Sequence, residues 1–242
     1  MKKIAGLFTI LFFCGIVYAQ QPEGAYKLTS YNGNEVKDME VVKIFQDGYF
    51  AVGSKNLEGN KFHSARGGEF KINNGKYVEI QDFNTENPEF IGKEINYDIT
   101  QSGSKITIKD PINTWVWERI SNEKDDLTRN WVITGRQRDG QLNRNTPGDR
   151  RTIKILSGGR FQWVAFNSAT TEFSGTGGGT YTAENGKYTE NIEFFSRDDS
   201  RVGASLEFDF EVKDREWHHS GKSSTGNDIY EIWSPYEEAY KK

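Results

Sequence analysis

Two stretches of this sequence are nearly the same phrase. GGEFKINNGKYVE begins at Gly67, and GGTYTAENGKYTE begins at Gly178, 111 positions later. At the same spacing KIFQDGYF from Lys43 matches KILSGGRF from Lys154, and the register holds without a gap to about Thr100. A repeat of roughly 110 residues is too long for a solenoid unit, so each copy is expected to be a domain with its own core.

The repeat predicts how the chain is divided. We expect a first domain over residues 20–120, a charged linker, SNEKDD, over 121–126, and a second domain over 127–242. Aromatics make up 14% of the chain and glycines number 25, while apolar runs at helical spacing are missing after the first nineteen residues. This composition favours strands and tight turns, with cores built from large rings.

Each copy consists of short β-type segments separated by turn signals. Asp47-Gly48, Asn74-Gly75 and Ser102-Gly103 are steps that readily adopt the positive φ of hairpin turns. About eight strands in meander order over roughly a hundred residues favour a closed up-and-down antiparallel barrel. In the first copy the predicted strands are Ala25–Tyr31, Val41–Phe45, Tyr49–Ser54, Gly68–Ile72, Lys76–Phe83, Glu94–Thr100, Lys105–Lys109 and Trp115–Ile120.

The predicted fold class is therefore all-β, with two tandem small barrels of about eight strands each. The gaps between the first two strands of each copy, residues 32–40 and 136–150, lack an apolar helical pattern. We accordingly expect no helical lid over either barrel. The last residues, SPYEEAYKK, are predicted to form a surface turn with a short helix.

The N-terminus, MKKIAGLFTILFFCGIVYA, has the pattern of a secretory signal peptide. Two lysines precede an apolar run that is short for a membrane span, and cleavage is expected after Ala19. The protein is then secreted or periplasmic, with no transmembrane segment left after cleavage. Lipidation of Cys14 is the alternative, although Phe12-Phe13 precede it where a lipobox has small residues. The mature chain would contain no cysteine, hence no disulfide or thiolate ligand.

Several features exclude other function classes. Loss of the leader changes the formal charge from −4 to −6, and no basic stripe for nucleic acid is present. GTGGGT at Gly175 resembles a phosphate-binding loop, but such loops precede a helix and this one precedes a hairpin. We expect its glycines to relieve crowding in a bent strand. His218 and His219 point to opposite faces of a strand and cannot chelate one ion. SRDDSR at Ser196 lacks spaced calcium ligands. We expect no metal, no cofactor and a monomer.

A family resemblance rests on the ends of the copies. Gly24-Ala25-Tyr26 and Trp117-Glu118-Arg119 resemble the lipocalin Gly-x-Trp and the Arg that stacks on it at the closed end of the barrel. In the second copy Asn130 precedes Trp131, and aligning WERI with YEIW from Tyr230 puts Ile232 at the place of the Arg. The Gly-Gly-x-aromatic and Asn-Gly-Lys-Tyr-x-Glu phrases are similar to lipocalin-like secreted proteins of Bacteroidetes. The resemblance implies a barrel with an internal cavity.

Alternation along the strands indicates which side chains line the second barrel. In KYTENIEF the apolar Tyr188, Ile192 and Phe194 must face inward, which carries Glu190 inward with them. The same reasoning turns His219 inward, and Glu79 is the parallel acid of the first copy. The predicted ligand-binding residues are Trp131, Phe161, Trp163, Tyr188, Glu190, Phe208, Trp217 and His219.

Three hypotheses follow for function. The leading one is that a small, mainly hydrophobic molecule binds inside at least one barrel. The second is isomerase or lyase chemistry with Glu190 and His219 as base and acid. The third is a non-catalytic interaction or structural role at the envelope, in which both barrels are packed solid and their outer faces bind a partner. For Glu190 itself, the structural alternative is that it pairs with a backbone amide, a lysine or an arginine near the barrel mouth.

Overall fold

The computed structural model describes residues 21–223 and 226–240. The expected signal peptide and Cys14 lie outside these residues. Among the described residues, no helix combines the length and the apolar character needed to span a bilayer.

The first copy folds into a closed antiparallel barrel, called barrel 1. Strand β1 pairs with β3, each strand from β3 to β8 pairs with the next along the chain, and β9 pairs back with β1, which closes a ring of eight strands. The short β2 extends the β1 hairpin outside the ring. The strands are β1 (Gly24–Tyr31), β2 (Asn34–Glu35), β3 (Met39–Gln46), β4 (Tyr49–Asn56), β5 (Phe62–Asn73), β6 (Lys76–Asn84), β7 (Glu94–Ser102), β8 (Lys105–Lys109) and β9 (Thr114–Ser121).

The second copy, barrel 2, repeats this topology. Strand β10 pairs with β18 to close the ring, and β11 is the additional strand. The predicted pair of tandem eight-stranded barrels is therefore confirmed. The elements of barrel 2 are β10 (Arg129–Arg138), β11 (Gln141–Arg144), β12 (Arg150–Ser157), β13 (Arg160–Asn167), β14 (Glu172–Glu184), β15 (Lys187–Phe195), β16 (Ser205–Lys213), β17 (Glu216–Lys222), β18 (Asp228–Pro235) and the helix α1 (Tyr236–Ala239).

Local sequence explains the repeated hairpin geometry. Asn74-Gly75 has φ values of 50° and 75°, and Asn185-Gly186 has 53° and 75°, so both residues of each turn adopt the positive φ of a type I′ hairpin. A register shift lies between Gly67 and Gly68 in barrel 1 and at the matching place in barrel 2. The glycine run from Gly175 is thus part of a strand, β14, packed tightly against its neighbours.

The segments after β1 and β10 contain no helix. Residues 32–40 and 136–150 contain the short β1–β2 and β10–β11 hairpins, connecting residues and the beginnings of β3 and β12. The expectation that neither barrel has a helical lid is confirmed for these segments, all of which the structure describes.

The last strands of the two barrels correspond differently from the sequence alignment. Leu28 lies opposite Trp117 in barrel 1, and Ile133 lies opposite Trp233 in barrel 2. Trp233 therefore takes the place of Trp117, and the alignment of Trp117 with Tyr230 was wrong. The shared aromatic–Glu pair, Trp117-Glu118 and Tyr230-Glu231, was misleading there because strand register, not letter similarity, decides which side chains are equivalent.

The ring-and-arginine contact expected at the end of barrel 1 is present. Arg119 Nε donates a hydrogen bond to the Tyr26 hydroxyl at 3.0 Å, and the guanidinium carbon lies 5.4 Å from the ring centroid. In barrel 2 the residue opposite Trp131 is Pro235, not Ile232 as predicted. The cation on the Trp131 ring comes instead from Arg129, whose guanidinium carbon lies 5.6 Å from it.

Each barrel has an aromatic core, and a third apolar cluster lies between the barrels. Outward-facing side chains from the two barrels meet there, and Phe83 and Phe166 have ring centroids 5.2 Å apart. Gln46 and Ser157 occupy matching positions in the two copies, and Ser157 Oγ donates to Gln46 Oε1 at 2.8 Å. The copies therefore pack through equivalent surfaces, in the manner of a two-fold interface.

A buried ion pair crosses this interface. Arg151 Nη2 lies 2.8 Å from Asp82 Oδ2, and the two side chains are 0% and 5% exposed. Tyr49 and Tyr236 donate hydroxyl hydrogen bonds to the same carboxylate oxygen at 3.0 and 3.3 Å. Tyr236 belongs to the C-terminal SPYEEAYKK segment, so the prediction of a surface turn was wrong for this residue. The tail contributes a buried side chain because its helix packs across the junction of the barrels.

We expect Asp82→Ala to destabilise the protein strongly. It would leave the Arg151 guanidinium buried without its carboxylate, a change that typically costs about 3–5 kcal/mol. Urea denaturation would measure this loss, and the double variant Asp82→Ala/Arg151→Met should recover a large part of it. Asp98→Ala, which breaks an exposed pair with Lys76, is the matched control and should cost less than about 1 kcal/mol. Equal losses in the two single variants would contradict the role of the buried pair.

Candidate functional site

The centre of barrel 1 holds a lysine and a glutamate that neutralise each other. Lys43 on β3 and Glu79 on β6 are each 1% exposed, and their Nζ and Oε1 atoms are 2.7 Å apart. Tyr77 donates its hydroxyl hydrogen to the same oxygen at 2.8 Å, and Gln81 Nε2 donates to Oε2 at 3.1 Å. Buried charges require such partners because burial removes them from water.

Aromatic rings surround the Lys43 ammonium. Its Nζ lies 4.9, 4.5, 4.8 and 5.7 Å from the ring centroids of Phe45, Phe50, Tyr77 and Trp117. Burial lowers the pKa of Lys43 to about 8, against the opposing effect of Glu79. Burial would raise the pKa of Glu79, but the charges of Lys43 and Arg66 outweigh it and hold that pKa below its usual value. The pair is therefore ionised at neutral pH.

Barrel 2 contains the same arrangement at matching positions. Lys154 Nζ lies 2.7 Å from Glu190 Oε1, and Tyr188 donates its hydroxyl hydrogen to that oxygen at 2.9 Å. The Lys154 ammonium lies 5.2 Å from each of the ring centroids of Tyr188, Trp217 and Trp233. Because both barrels contain the lysine–glutamate–tyrosine group, the group by itself is a structural feature of this barrel.

A cavity of about 370 Å³ adjoins this group in barrel 2. Its volume falls within the usual range of small-molecule pockets. Its walls are mainly apolar, with charged side chains at intervals. The lining residues are Arg136, Thr152, Lys154, Trp163, Ala165, Glu190, Ile192, Phe195, Arg197, Arg201, Ala204, Leu206, Phe208, His219, Ser223, Ile229, Glu231 and Trp233.

The structure divides the eight predicted ligand-binding residues into two groups. Trp163, Glu190, Phe208 and His219 line the cavity. The other four belong to the packed aromatic core of barrel 2 and are not among the cavity-lining residues: Trp131, Phe161, Tyr188 and Trp217. Glu190 and His219, the residues of the enzymatic alternative, thus face one cavity.

Five charged cavity residues were missed by the sequence reasoning: Arg136, Lys154, Arg197, Arg201 and Glu231. Lys154 could have been found, because it shares the inward face of its strand with Leu156. Arg136 was assigned to the gap after the first strand, although β10 continues through it. Glu231 was missed because the alignment of the last strand was displaced, which hid that it shares a face with Trp233.

Glu231 connects His219 to the mouth of the cavity. Its Oε2 accepts a hydrogen bond from Trp233 Nε1 at 3.2 Å and lies 3.4 Å from His219 Nδ1. Its Oε1 accepts from Arg136 Nε and Nη2 at 3.1 and 2.7 Å. Burial opposes ionisation, but the hydrogen bond with His219 and the positive charges of Arg136 and Lys154 lower the pKa of Glu231 to about 2.

His219 is surrounded by rings and buried. Its ring centroid lies 4.3 Å from that of Phe208 and 5.1 Å from that of Trp217. Burial lowers the pKa of His219 below its usual value, so the imidazole is neutral at pH 7. The neighbouring His218 is bonded to the Tyr230 hydroxyl at 2.7 Å. Within the described chain, no group of three or more His, Cys, Asp or Glu side chains is placed to hold a metal ion.

In barrel 1, the positions equivalent to His219 and Glu231 hold apolar side chains. Ile108 pairs with Trp115 across β8 and β9, as His219 pairs with Glu231 across β17 and β18. The dyad of barrel 2 thus replaces an isoleucine and a tryptophan. Nearer the mouth, barrel 1 has Val52 and Arg66 where barrel 2 has Trp163 and Gly177.

No protein-family model matches this sequence, and a search of curated proteins found no match either.

Glu231→Gln should remove an acid-sensitive part of the stability. Because the pKa of Glu231 falls from 4.5 to about 2 on folding, the stabilisation by its ionised form is complete above pH 4.5 and is lost as the pH falls toward 2. The difference in free energy of unfolding between wild type and variant should shrink by on the order of 3 kcal/mol across that window. Urea denaturation at a series of pH values measures it.

Glu237→Gln, at an exposed position of α1, is the control and should follow the wild-type profile. Parallel pH profiles for wild type and Glu231→Gln would show that the carboxylate is not stabilised in the fold as described.

Proposed function

We propose that this protein binds a small, mainly hydrophobic molecule inside barrel 2. The observation that supports this most is the cavity of about 370 Å³ with an apolar wall and a few charged side chains. Such a combination is how small-molecule sites are built, with apolar area supplying affinity and the polar groups fixing orientation. The resemblance to lipocalins and the leader-like N-terminus also support an exported binding protein.

The difference between the barrels favours barrel 2 as the binding domain. Its glycine at position 177 lies against Trp163 and Phe195, whereas barrel 1 has Arg66 at that place. The Arg66 charge acts on Glu79 in the interior of barrel 1. A side chain therefore extends toward the buried pair in barrel 1, where barrel 2 has only the glycine backbone.

A second candidate is proton-transfer chemistry in the same cavity. The observation that favours it is that Glu190 and His219 both line the cavity, with Glu231 beside His219 Nδ1. A neutral imidazole oriented by a carboxylate is a common general base. Turnover of a bound ligand, lost in His219→Ile but with binding retained, would distinguish an enzyme from a carrier.

Ligand binding should be reported by Trp163 and not by Trp115. Both tryptophans are partly buried, but Trp163 lines the cavity whereas Trp115 packs against Tyr97 and Tyr31 in barrel 1. Titration with hydrophobic ligands should change the tryptophan emission of the wild type and of Trp115→Phe. The change should be smaller in Trp163→Phe, and the part that remains should come from Trp233, which also lines the cavity. Native mass spectrometry of the purified protein would identify a co-purifying molecule.

Ala165→Phe tests whether the cavity itself is the site. Ala165 lines the wall beside Trp163, so a phenyl group there would occupy the space of the ligand and weaken binding at least about tenfold. Unchanged affinity in this variant, or a fluorescence response that depends on Trp115 instead, would contradict binding in barrel 2.

A further inference from the structure

His219 has a buried nitrogen that lacks a partner. Its Nε2 makes no hydrogen bond within the described part of the chain, and the side chain is 2% exposed. The large majority of buried side-chain polar atoms are hydrogen-bonded, so an unpartnered atom in a residue that lines a cavity points to a partner bound there. Because His219 lines the cavity of barrel 2, the cavity is where that partner would be. Among the cavity-lining residues described, His219 is the one with such an atom.

Glu231 determines what kind of partner Nε2 requires. Its carboxylate is held by Arg136 and by the indole N–H of Trp233, and in its ionised form it can only accept hydrogen bonds. The proton of the neutral imidazole therefore lies on Nδ1, the nitrogen that faces Glu231. Nε2 then has a lone pair and no proton. It is an acceptor and needs a donor.

The barrel architecture does not need this imidazole. Barrel 1 has Ile108 at the same position and closes in the same way. There Nε1 of Trp117 lacks a partner, since Trp115 stands where barrel 2 has Glu231; the other such atom described in barrel 1 is Arg66 Nε. In barrel 2, Glu231 accepts a hydrogen bond from the equivalent indole, that of Trp233. The atom without a partner at the cavity wall is instead His219 Nε2.

We propose that the ligand of barrel 2 is an apolar molecule bearing a hydroxyl or N–H group that donates a hydrogen bond to His219 Nε2. This inference rests on the proposed function and names the chemical class that the site selects. The other charged groups deep in the cavity already have partners: Lys154 is bonded to Glu190, and Glu231 to Arg136 and Trp233. Rings such as Trp163, Phe195 and Phe208 contact the apolar remainder.

Two probe molecules of similar shape test the proposal. 2-Naphthol carries the hydroxyl donor, and 2-methylnaphthalene replaces it by a methyl group of similar size. Wild-type protein should bind 2-naphthol about tenfold more tightly or better in calorimetric titrations, because a hydrogen bond to a buried acceptor favours the donor while the methyl group leaves that acceptor unpaired. 2-Methoxynaphthalene, an acceptor without a donor, should show no such advantage.

His219→Ile installs the residue of barrel 1 and should abolish the preference for 2-naphthol while 2-methylnaphthalene still binds. His218→Gln, at the neighbouring residue bonded to Tyr230, is the matched control and should keep the preference. If His219→Ile does not fold, nitrogen-15 NMR of the wild-type imidazole decides. 2-Naphthol, and not 2-methylnaphthalene, should shift the Nε2 resonance of His219, which must be unprotonated before addition.

The outcomes separate this inference from the proposed function. Equal wild-type affinity for the two probes, with no change at Nε2, would overturn the hydroxyl or N–H assignment and mean that retained water serves His219, while binding in barrel 2 would stand. Binding of neither probe, together with no Trp163-dependent response to any hydrophobic ligand, would overturn both.

Discussion

A buried ion pair between a lysine and a glutamate lies at the centre of each barrel, and the remaining interior is arranged around it. Lys43 and Glu79, like Lys154 and Glu190, are separated by 36 residues and come from strands on different parts of the ring. A one-residue slip of either strand would turn its charge outward and leave the other buried without a partner. The pair therefore specifies strand register as well as satisfying two charges. The rings around each ammonium fill the space between that pair and the wall.

The two barrels share this ion pair but differ in the residues next to it. In barrel 1 the neighbouring positions are apolar, with Ile108 facing Trp115. In barrel 2 the same positions hold His219 and Glu231, next to a cavity that also exposes Lys154 and Glu190. Duplication allows this difference between the copies. The well-packed barrel 1 can stabilise barrel 2 through their shared interface while barrel 2 loses interior packing around its cavity. The shared apolar cluster and the Arg151–Asp82 pair join the copies into one packed unit.

Much of this architecture could be predicted from the sequence, because its determinants are local. Asn-Gly turns, alternation and the repeat itself indicated two closed barrels, and alternation alone placed Glu190 and His219 inside. The resemblance implied a cavity, but the residues could not show which barrel contains one, because a cavity depends on volumes contributed by distant strands, such as the glycine at 177 opposite Trp163. The network of Glu231 was hidden by an error of alignment in the last strand. The burial of Tyr236 depends on the contact between barrels, which no local pattern encodes.

The central claim is that one of two homologous barrels is a ligand site because its interior has been opened beside the buried ion pair. Methyl-resolved NMR of the isoleucines, titrated with 2-methylnaphthalene, tests it directly. Ile192 and Ile229 line the cavity of barrel 2, whereas Ile106 and Ile108 lie in the core of barrel 1. We expect saturable shifts at Ile192 and Ile229, with the resonances of Ile106 and Ile108 unchanged. Shifts at the barrel 1 isoleucines, or at none of the four, would contradict it.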